Sequence, residues 1–283
     1  MLARRELPPE YETWNGRWGS PWGHRARAFP FEGGRNETLT EFIERFPHRV
    51  RTPILLNPRL KKARGPFAFQ PNTSTRGYEY PWAFHQIKGL GPSKVLEIGG
   101  ALSGLQFVLS QSGYEVHNVD PFLDYGKGQY ENDPLADHAA LNQAFGTDVV
   151  LHRTTLPEAD LTGPFSAVLC ISTIEHLSES DIASTLTAAK KLLAPGGLLV
   201  LTVDLFLNLE PFSDRKTNQW GDNTSIAWIE ELVGYEMIAG DRSELYGYSE
   251  FSVTKILSRL EEFAISNQYP QMAQLVTFQS PQG

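Results

Sequence analysis

Three groups of residues in this chain could do chemistry by their type and spacing. In the first, Glu97 is followed after one residue by the turn Gly99, Gly100, Ala101, Leu102, Ser103, Gly104, and Asp120 comes later. Glycine lets backbone approach a ligand where a side chain would block it. An acidic residue about 20 positions beyond such a turn is placed to take the hydroxyls of a ribose. Glu97 then decides the sign of the ligand. A carboxylate at the end of a buried strand is costly unless compensated, and a dinucleotide's phosphates would repel it, so a cationic ligand is favoured over a pyrophosphate. The second group is Glu175 and His176: an imidazole accepts a proton near neutral pH, so His176 reads as a general base and Glu175 as its orienting partner, the alternative being a structural histidine bonded to backbone. The third is Arg76, Tyr78 and Tyr80, with packing as the alternative role for each tyrosine.

These residues need a scaffold, and the pattern around them supplies one. Val95 to Ile98 reads as a short buried strand. Leu102, Leu105, Val108 and Leu109 recur at helical spacing, Gly113 stops the helix, and Val116 to Val119 form a second strand. Asp133 and Pro134 read as cap and first turn of a helix to about Phe145, and Val149 to His152 as the third strand. Ala167 to Ile171 is the fourth. Ser178 or Ser180 starts a helix that Pro195, Gly196 and Gly197 end before a fifth strand, Leu198 to Val203. Beyond it, 204–222 reads as a polar and aromatic loop. Ile226, Ile229 and Val233 mark a helix, Tyr235 to Ile238 a sixth strand, Val253 to Phe263 an amphipathic helix, and Ala273 to Phe278 a last strand. Residues 1–75, dense in Tyr11, Trp14, Trp18, Trp22, Phe29 and Phe31, form an extension expected to wrap the folded body, with one short helix capped by Asn36, carrying Leu39, Phe42, Ile43 and Phe46 and ended by Pro47.

With the motif Glu97 to Gly104, the Glu-His-Leu tail Glu175 to Leu177 after the fourth strand, and the helix, Pro-Gly-Gly and strand series at 195–197, the chain resembles the class I S-adenosylmethionine-dependent methyltransferases. The family's usual second and third glycines are Ala101 and Ser103 here. The resemblance covers about residues 76–280 and implies an α/β fold: a Rossmann-like, seven-stranded, doubly wound sheet with an antiparallel C-terminal edge, preceded by the 1–75 extension as a substrate lid. It implies that Gly99, Gly100, Ala101 and Gly104 wrap the methionine part of S-adenosylmethionine and that Asp120 holds its ribose. Pro121 and Phe122 would cover the adenine, and Thr155 and Leu156 would hold its edge. Arg76 would pair with the methionine carboxylate, and Tyr78 or Tyr80 would line the transfer site near Ser172. Some relatives bind a divalent metal through a Glu-His pair and an earlier glutamate; Ser172 stands at that earlier position, so no metal is expected, since two protein ligands hold a hard cation weakly.

The expected activity is methylation of a small molecule, a sugar or secondary metabolite, with oxygen preferred as acceptor because His176 offers a base. Three rivals stand beside it: a nicotinamide-dependent oxidoreductase, a nucleic-acid methyltransferase, and a protein that binds S-adenosylmethionine without methylating. Net charge of −8 over 283 residues disfavours bulk nucleic-acid binding. About half of the Lys and Arg lie between Arg4 and Arg64, which either form a solvated basic face or attract an anionic substrate. A single cysteine, Cys170, in an apolar run allows no internal disulfide and suits a reducing compartment. No run has the length to span a bilayer and the N-terminus lacks an apolar signal core, so a cytoplasmic location is expected.

Overall fold

The computed structural model describes residues 1–18, 28–30, 36–38, 66–68, 73–123 and 133–283. Seven strands form one sheet: β3 (Lys94–Ile98), β4 (Glu115–Val119), β5 (Val150–His152), β6 (Phe165–Ile171), β7 (Leu193–Phe206), β10 (Glu236–Ala239) and β11 (Gln271–Gln279). Their order is β10-β11-β7-β6-β3-β4-β5. Neighbours from β5 through β7 are parallel, whereas β11 runs antiparallel to both β7 and β10. The antiparallel strand is thus slotted one place in from the C-terminal edge. β3 is followed by β4 on one side and sits beside β6 on the other. That reversal of strand order opens a crevice at the carboxyl ends of β3 and β6.

Alternation along the strands divides the core in two. Val95, Ala167, Leu169, Val200, Ala273 and Leu275 face one side, packed with Tyr11 and Trp14 of α1 (Pro9–Trp18), Ala83 and Ile87 of α2 (Arg76–Ile87), Phe107 of α3 (Gly104–Gln111) and Leu141 of α4 (Pro134–Phe145). Leu96, Ile98, Val168, Cys170, Leu199, Leu201 and Val276 face the other, against Ile182 and Leu186 of α5 (Glu179–Leu192) and Ile226 and Ile229 of α6 (Ile226–Val233). Because strand side chains alternate with period two, the face holding Val95 and Val200 also receives Glu97, Thr202 and Asp204. The fold therefore carries these three polar groups under α2.

Local chemistry sets the helix ends where the sequence predicts them. Asp133 caps α4, its carboxylate accepting from the Leu135 amide, with Pro134 in the first turn and Gly146 left-handed at the end. Ser178, rather than Ser180, caps α5 through the Asp181 amide.

Several boundaries differ. β7 takes in Pro195, Gly196 and Gly197, with a register shift opposite Phe165–Ala167 of β6, and runs on to Phe206. Asp204 therefore belongs to a strand rather than to the expected loop, of which the hairpin β8 (Thr217–Asn218) and β9 (Gly221–Asp222) is also part. The amphipathic 253–263 segment splits into α7 (Val253–Ser258) and a single 3-10 turn, Leu260–Glu262. Asn36 caps no helix: it opens β2 (Asn36–Thr38), paired with β1 (Ala28–Pro30). The rest of the expected helix, 39–47, lies outside the described residues, as do Trp22 and Phe31.

The start of the chain is built into the sheet. Leu2 bridges Gln274 and the Ala3 amide donates to the Ala273 carbonyl at 2.9 Å, covering the half of β11 that β10 does not reach. No helix among the described residues is long and apolar enough to cross a membrane.

Candidate functional site

The site gathers where β3, β4, β6 and β7 end. Glu97, 1 % exposed, lies beneath the glycine turn; its Oε1 accepts from the Ser103 hydroxyl at 2.8 Å and its Oε2 has no partner. Burial, with the Asp120 charge nearby, lifts this carboxyl to about 7 although the Ser103 bond opposes the shift. The turn itself is tied down by a buried amide network that sequence reading did not find. Asn118 accepts from the Gly100 amide at 3.2 Å and donates to the Ala101 carbonyl at 2.9 Å. Gln106 donates to the Ala101 and Ser103 carbonyls at 3.1 Å, while its Oε1 takes a proton from Asn118 and one from His138 Nε2 at 2.9 Å. An amide oxygen only accepts, so His138 carries its proton on Nε2. Burial holds its imidazole down to about 4.

Each glycine of the turn has a steric reason inside the protein. A β-carbon on Gly99 would collide with Thr173, and one on Gly100 would come within 2.8 Å of Glu97 and Asn118. At Gly104 it would meet the ring of Phe67 at 2.5 Å. Phe67, from the turn Pro66–Ala68, also packs on Trp14 and Tyr80, so part of the N-terminal segment covers the start of α3. Asp120 accepts from the Ala101 amide at 2.8 Å through one oxygen and from the Phe122 amide at 2.7 Å through the other. Asp120 thus clasps both loops, joining the end of β4 to the glycine turn. Pro121 is half-buried and Phe122 buried.

A second cluster lies across Thr173 from the turn. Arg76 of α2 donates to Glu79 and to the Ser172 hydroxyl. Glu79 Oε2 also accepts from Ser172 at 2.8 Å and Thr202 at 2.7 Å, and Ser172 stands 3.0 Å from Asp204 Oδ1. Glu175 Oε1 accepts the Asp204 amide at 3.2 Å. Burial pulls the Arg76 guanidinium down, but the surrounding acids, Glu79 first, more than reverse it, so it stays charged. Burial raises Glu175 to about 7 and lifts Asp204 well above the carboxylate range, the latter further raised by Glu175. Tyr80 lies between the two clusters, its hydroxyl raised by burial and sensing Arg76, Glu97 and Glu79.

The structure thus brings Glu97, Gly99, Gly100, Ala101, Gly104, Asp120, Pro121 and Phe122 to one flank, and Arg76, Tyr80, Ser172 and Glu175 to the other. It does not bring Glu175 to His176. Glu175 is buried and turned toward β7, whereas His176 is exposed and uses Nδ1 to donate to the Trp220 carbonyl. Tyr78 packs edge-on against Tyr11 at 5.1 Å, within the α1–α2 contact. Thr155 is exposed and donates to Glu158 at 3.0 Å, and Leu156 is buried in the core on the α5 side. Asn118, Gln106, His138, Glu79, Thr202 and Asp204 are additions. For Thr202 and Asp204 a signal existed: two polar residues at period two in an otherwise apolar strand.

Three non-glycine residues among those described have positive φ: Ala101 at 41°, Phe122 at 53° and Ser172 at 40°. They follow β3, β4 and β6, so the left-handed strain collects at this one end of the sheet. Among the described residues no three His, Cys, Asp or Glu side chains are grouped so as to hold a metal ion.

The buried, half-satisfied Glu97 suits a cationic ligand and Asp120 a diol, acceptors matched to the ammonium and ribose hydroxyls of S-adenosylmethionine. Comparison with known proteins agrees at the level of family and fold. No curated protein matches the chain in sequence. Among solved structures, the [4+2]-cyclase SpnF is similar over 82 % of this chain and 93 % of its own, with 14 % identity and a TM-score of 0.53. The N-methyltransferase NodS from Bradyrhizobium japonicum, solved with S-adenosyl-l-homocysteine, matches over 75 % of this chain and 90 % of its own, with 13 % identity and a TM-score of 0.49. TehB from Haemophilus influenzae matches over 70 % of this chain, at 13 % identity and a TM-score of 0.49, and the chain spans 61 % of it. A family model described as a methyltransferase domain matches residues 35–239, well over half of the sequence, and the chain belongs to that methyltransferase family.

Proposed function

We propose that the protein is an S-adenosylmethionine-dependent methyltransferase acting on a discrete small molecule. The observation that carries this reading is Glu97, a fully buried carboxylate with an unpartnered oxygen against the glycine turn at the sheet's switch point. A pyrophosphate there would meet an uncompensated negative group, whereas a cation would relieve it. When bound, S-adenosylmethionine supplies an electrophilic methyl group on sulfonium. The chain's own task is then to bind, align and exclude water. Glu97 and the backbone of Gly99 to Gly104 would hold the methionine end, Asp120 the ribose, and Pro121 with Phe122 the adenine. Phe67 packs on Tyr80 and over Gly104, beside the turn.

Oxygen as the acceptor atom rested on His176 as base. Its ring is exposed and is not oriented by Glu175; Nδ1 donates to the Trp220 carbonyl, which leaves the Nε2 lone pair to accept a proton, so the choice of acceptor atom turns on the Arg76–Asp204 cluster as well. A sugar or secondary metabolite remains the expected class of small molecule. SpnF, described as a cyclase, shows that this fold does not by itself assign methyl transfer.

Calorimetric titration with S-adenosylhomocysteine and with NAD tests the reading. S-adenosylhomocysteine should bind and NAD should not, and Asp120→Ala should weaken binding by about 1 to 3 kcal/mol through lost charge-assisted hydrogen bonds. NAD binding with no response to S-adenosylhomocysteine overturns it.

A further inference from the structure

The flank around Ser172 has an imbalance that the donor site does not account for. Glu79, Glu175 and Asp204 are each no more than 2 % exposed, and each has one oxygen with no hydrogen-bond partner: Glu79 Oε1, Glu175 Oε2 and Asp204 Oδ2. Arg76 is the single cation hydrogen-bonded into the cluster among the described residues. The Ser172 hydroxyl has one proton, so it cannot serve both Glu79 and Asp204. An independent residue points to the same gap. Gln271 is fully buried with neither side-chain atom partnered. It stands opposite Phe206, two residues along from the Ala273–Asp204 pair, and so on the Asp204 face of the sheet.

Counting what is unspent identifies the missing group. Four acceptor oxygens lack a partner, three from carboxylates and one from Gln271, against the two N–H of the Gln271 amide. A hydroxyl brings one proton and a carboxylate brings none, whereas an ammonium brings up to three and a positive charge. Arg76 already takes one side of the cluster and would repel a divalent ion about twice as strongly as a monovalent one. Near it, Tyr269 sits in the field of Asp204, Arg76, Glu175 and Glu79, and stacks on Trp220 at 5.0 Å. Trp220 is 40 % exposed, so the pair joins a residue that faces solvent to one that senses the acids, and ring faces attract cations. The cluster also adjoins the donor site: Thr173, next to Ser172, occupies the space a Gly99 side chain would fill.

We propose that Glu79, Glu175 and Asp204 with Gln271 bind the ammonium group of the methyl acceptor, so that the acceptor is a primary or secondary amine. This rests on the methyltransferase reading. One N–H bond of the bound ammonium breaks, its electron pair stays on nitrogen, and the proton forms an O–H bond on Asp204 or Glu175. The neutral amine so formed has the lone pair that methyl transfer requires. Both carboxyls are held above the ordinary range by burial, which makes them better proton acceptors than exposed acids.

Binding of phenethylamine and N-methylphenethylamine, with 2-phenylethanol as the uncharged counterpart, tests the proposal on the full chain by calorimetry and thermal shift, with S-adenosylhomocysteine titrated separately. The amines should bind at least about tenfold tighter than the alcohol. Asp204→Asn and Glu175→Gln should abolish that preference while S-adenosylhomocysteine affinity stays within about twofold. Both variants remove an uncompensated buried charge, so both should fold. Equal binding of alcohol and amines, no binding of either amine, or a preference that survives both variants overturns the proposal. So does loss of S-adenosylhomocysteine affinity in Asp204→Asn with no change for the amines, because the cluster would then serve the donor. Failure of the wild-type protein to bind S-adenosylhomocysteine strikes the methyltransferase reading instead, and the amine arm is read without it.

Discussion

The two flanks of the site solve the problem of buried polar groups in opposite ways. On the β3–β4 side, Asn118, Gln106, His138, Ser103 and Asp120 direct their hydrogen bonds to the glycine turn and to one another, leaving Glu97 Oε2 as the one unpartnered side-chain atom among the residues that hold the turn. On the β6–β7 side, hydroxyls and one guanidinium serve three acids and three oxygens stay empty. A satisfied network fixes one geometry. An unsatisfied one has a standing free-energy cost that a ligand of the right chemistry removes. The first flank is therefore read as a rigid frame and the second as the part that responds to its occupant.

Breaking the frame should have the largest effect. Gly99→Ala puts a β-carbon into Thr173 at a position with φ of 69°, and strain plus overpacking should cost roughly 2 to 4 kcal/mol in urea unfolding; unchanged stability would mean the turn is looser than described.

Acid should next separate the flanks. His138 is held at about 4, against about 6.5 in the unfolded chain. Between these values the unfolded chain binds a proton that the native state refuses, so stability is lost as pH falls from about 6.5 towards 4, by about 3 kcal/mol in all. Unfolding curves for His138→Gln should lack this acid loss. The other flank has the opposite slope. Glu175 and Asp204 hold their protons above the unfolded-state values, so their contribution is most favourable in acid and declines as pH rises, for Glu175 through about 7. Asp204→Asn should accordingly stabilise the empty protein by about 1 to 3 kcal/mol at pH 8 and by less at pH 5. A destabilised variant at pH 8 would contradict the picture of an unpaired charge.

The smallest effect is expected at His176. His176→Ala removes one exposed hydrogen bond to the Trp220 carbonyl, worth about 1 kcal/mol or less, and turnover should stay near wild type. A large loss of turnover at unchanged stability would restore it as a base.

What could be read in advance follows the same division. The frame has local signals: Val95 to Asp120 predicts β3 (Lys94–Ile98), α3 and β4 in order, because apolar periodicity and glycine act over short spans. Asp133, Pro134 and Ser178 mark helix starts for similar reasons. The acidic flank has no such signal, since Glu79, Glu175 and Asp204 are 96, 125 and 29 positions apart in pairs and lie on a helix, a 3-10 turn and a strand that only the tertiary fold brings together. Asp204 looked like the start of a loop because a carboxylate inside a central strand goes against burial preference. Glu175 and His176 are adjacent in sequence, but the 3-10 turn Ile174–His176 sends one inward and the other out.

Ala101, Phe122 and Ser172, held with positive φ beyond three strand ends, bear on engineering. Glycine at Ala101 would relieve about 1 kcal/mol of left-handed cost, so a screen that rewards heat resistance alone should find this loop early. The variants it collected would outlast the parent on heating while loosening the bend that aims Asp120 and Glu97. Directed evolution of this scaffold would need to select for ligand affinity and thermal endurance in the same round.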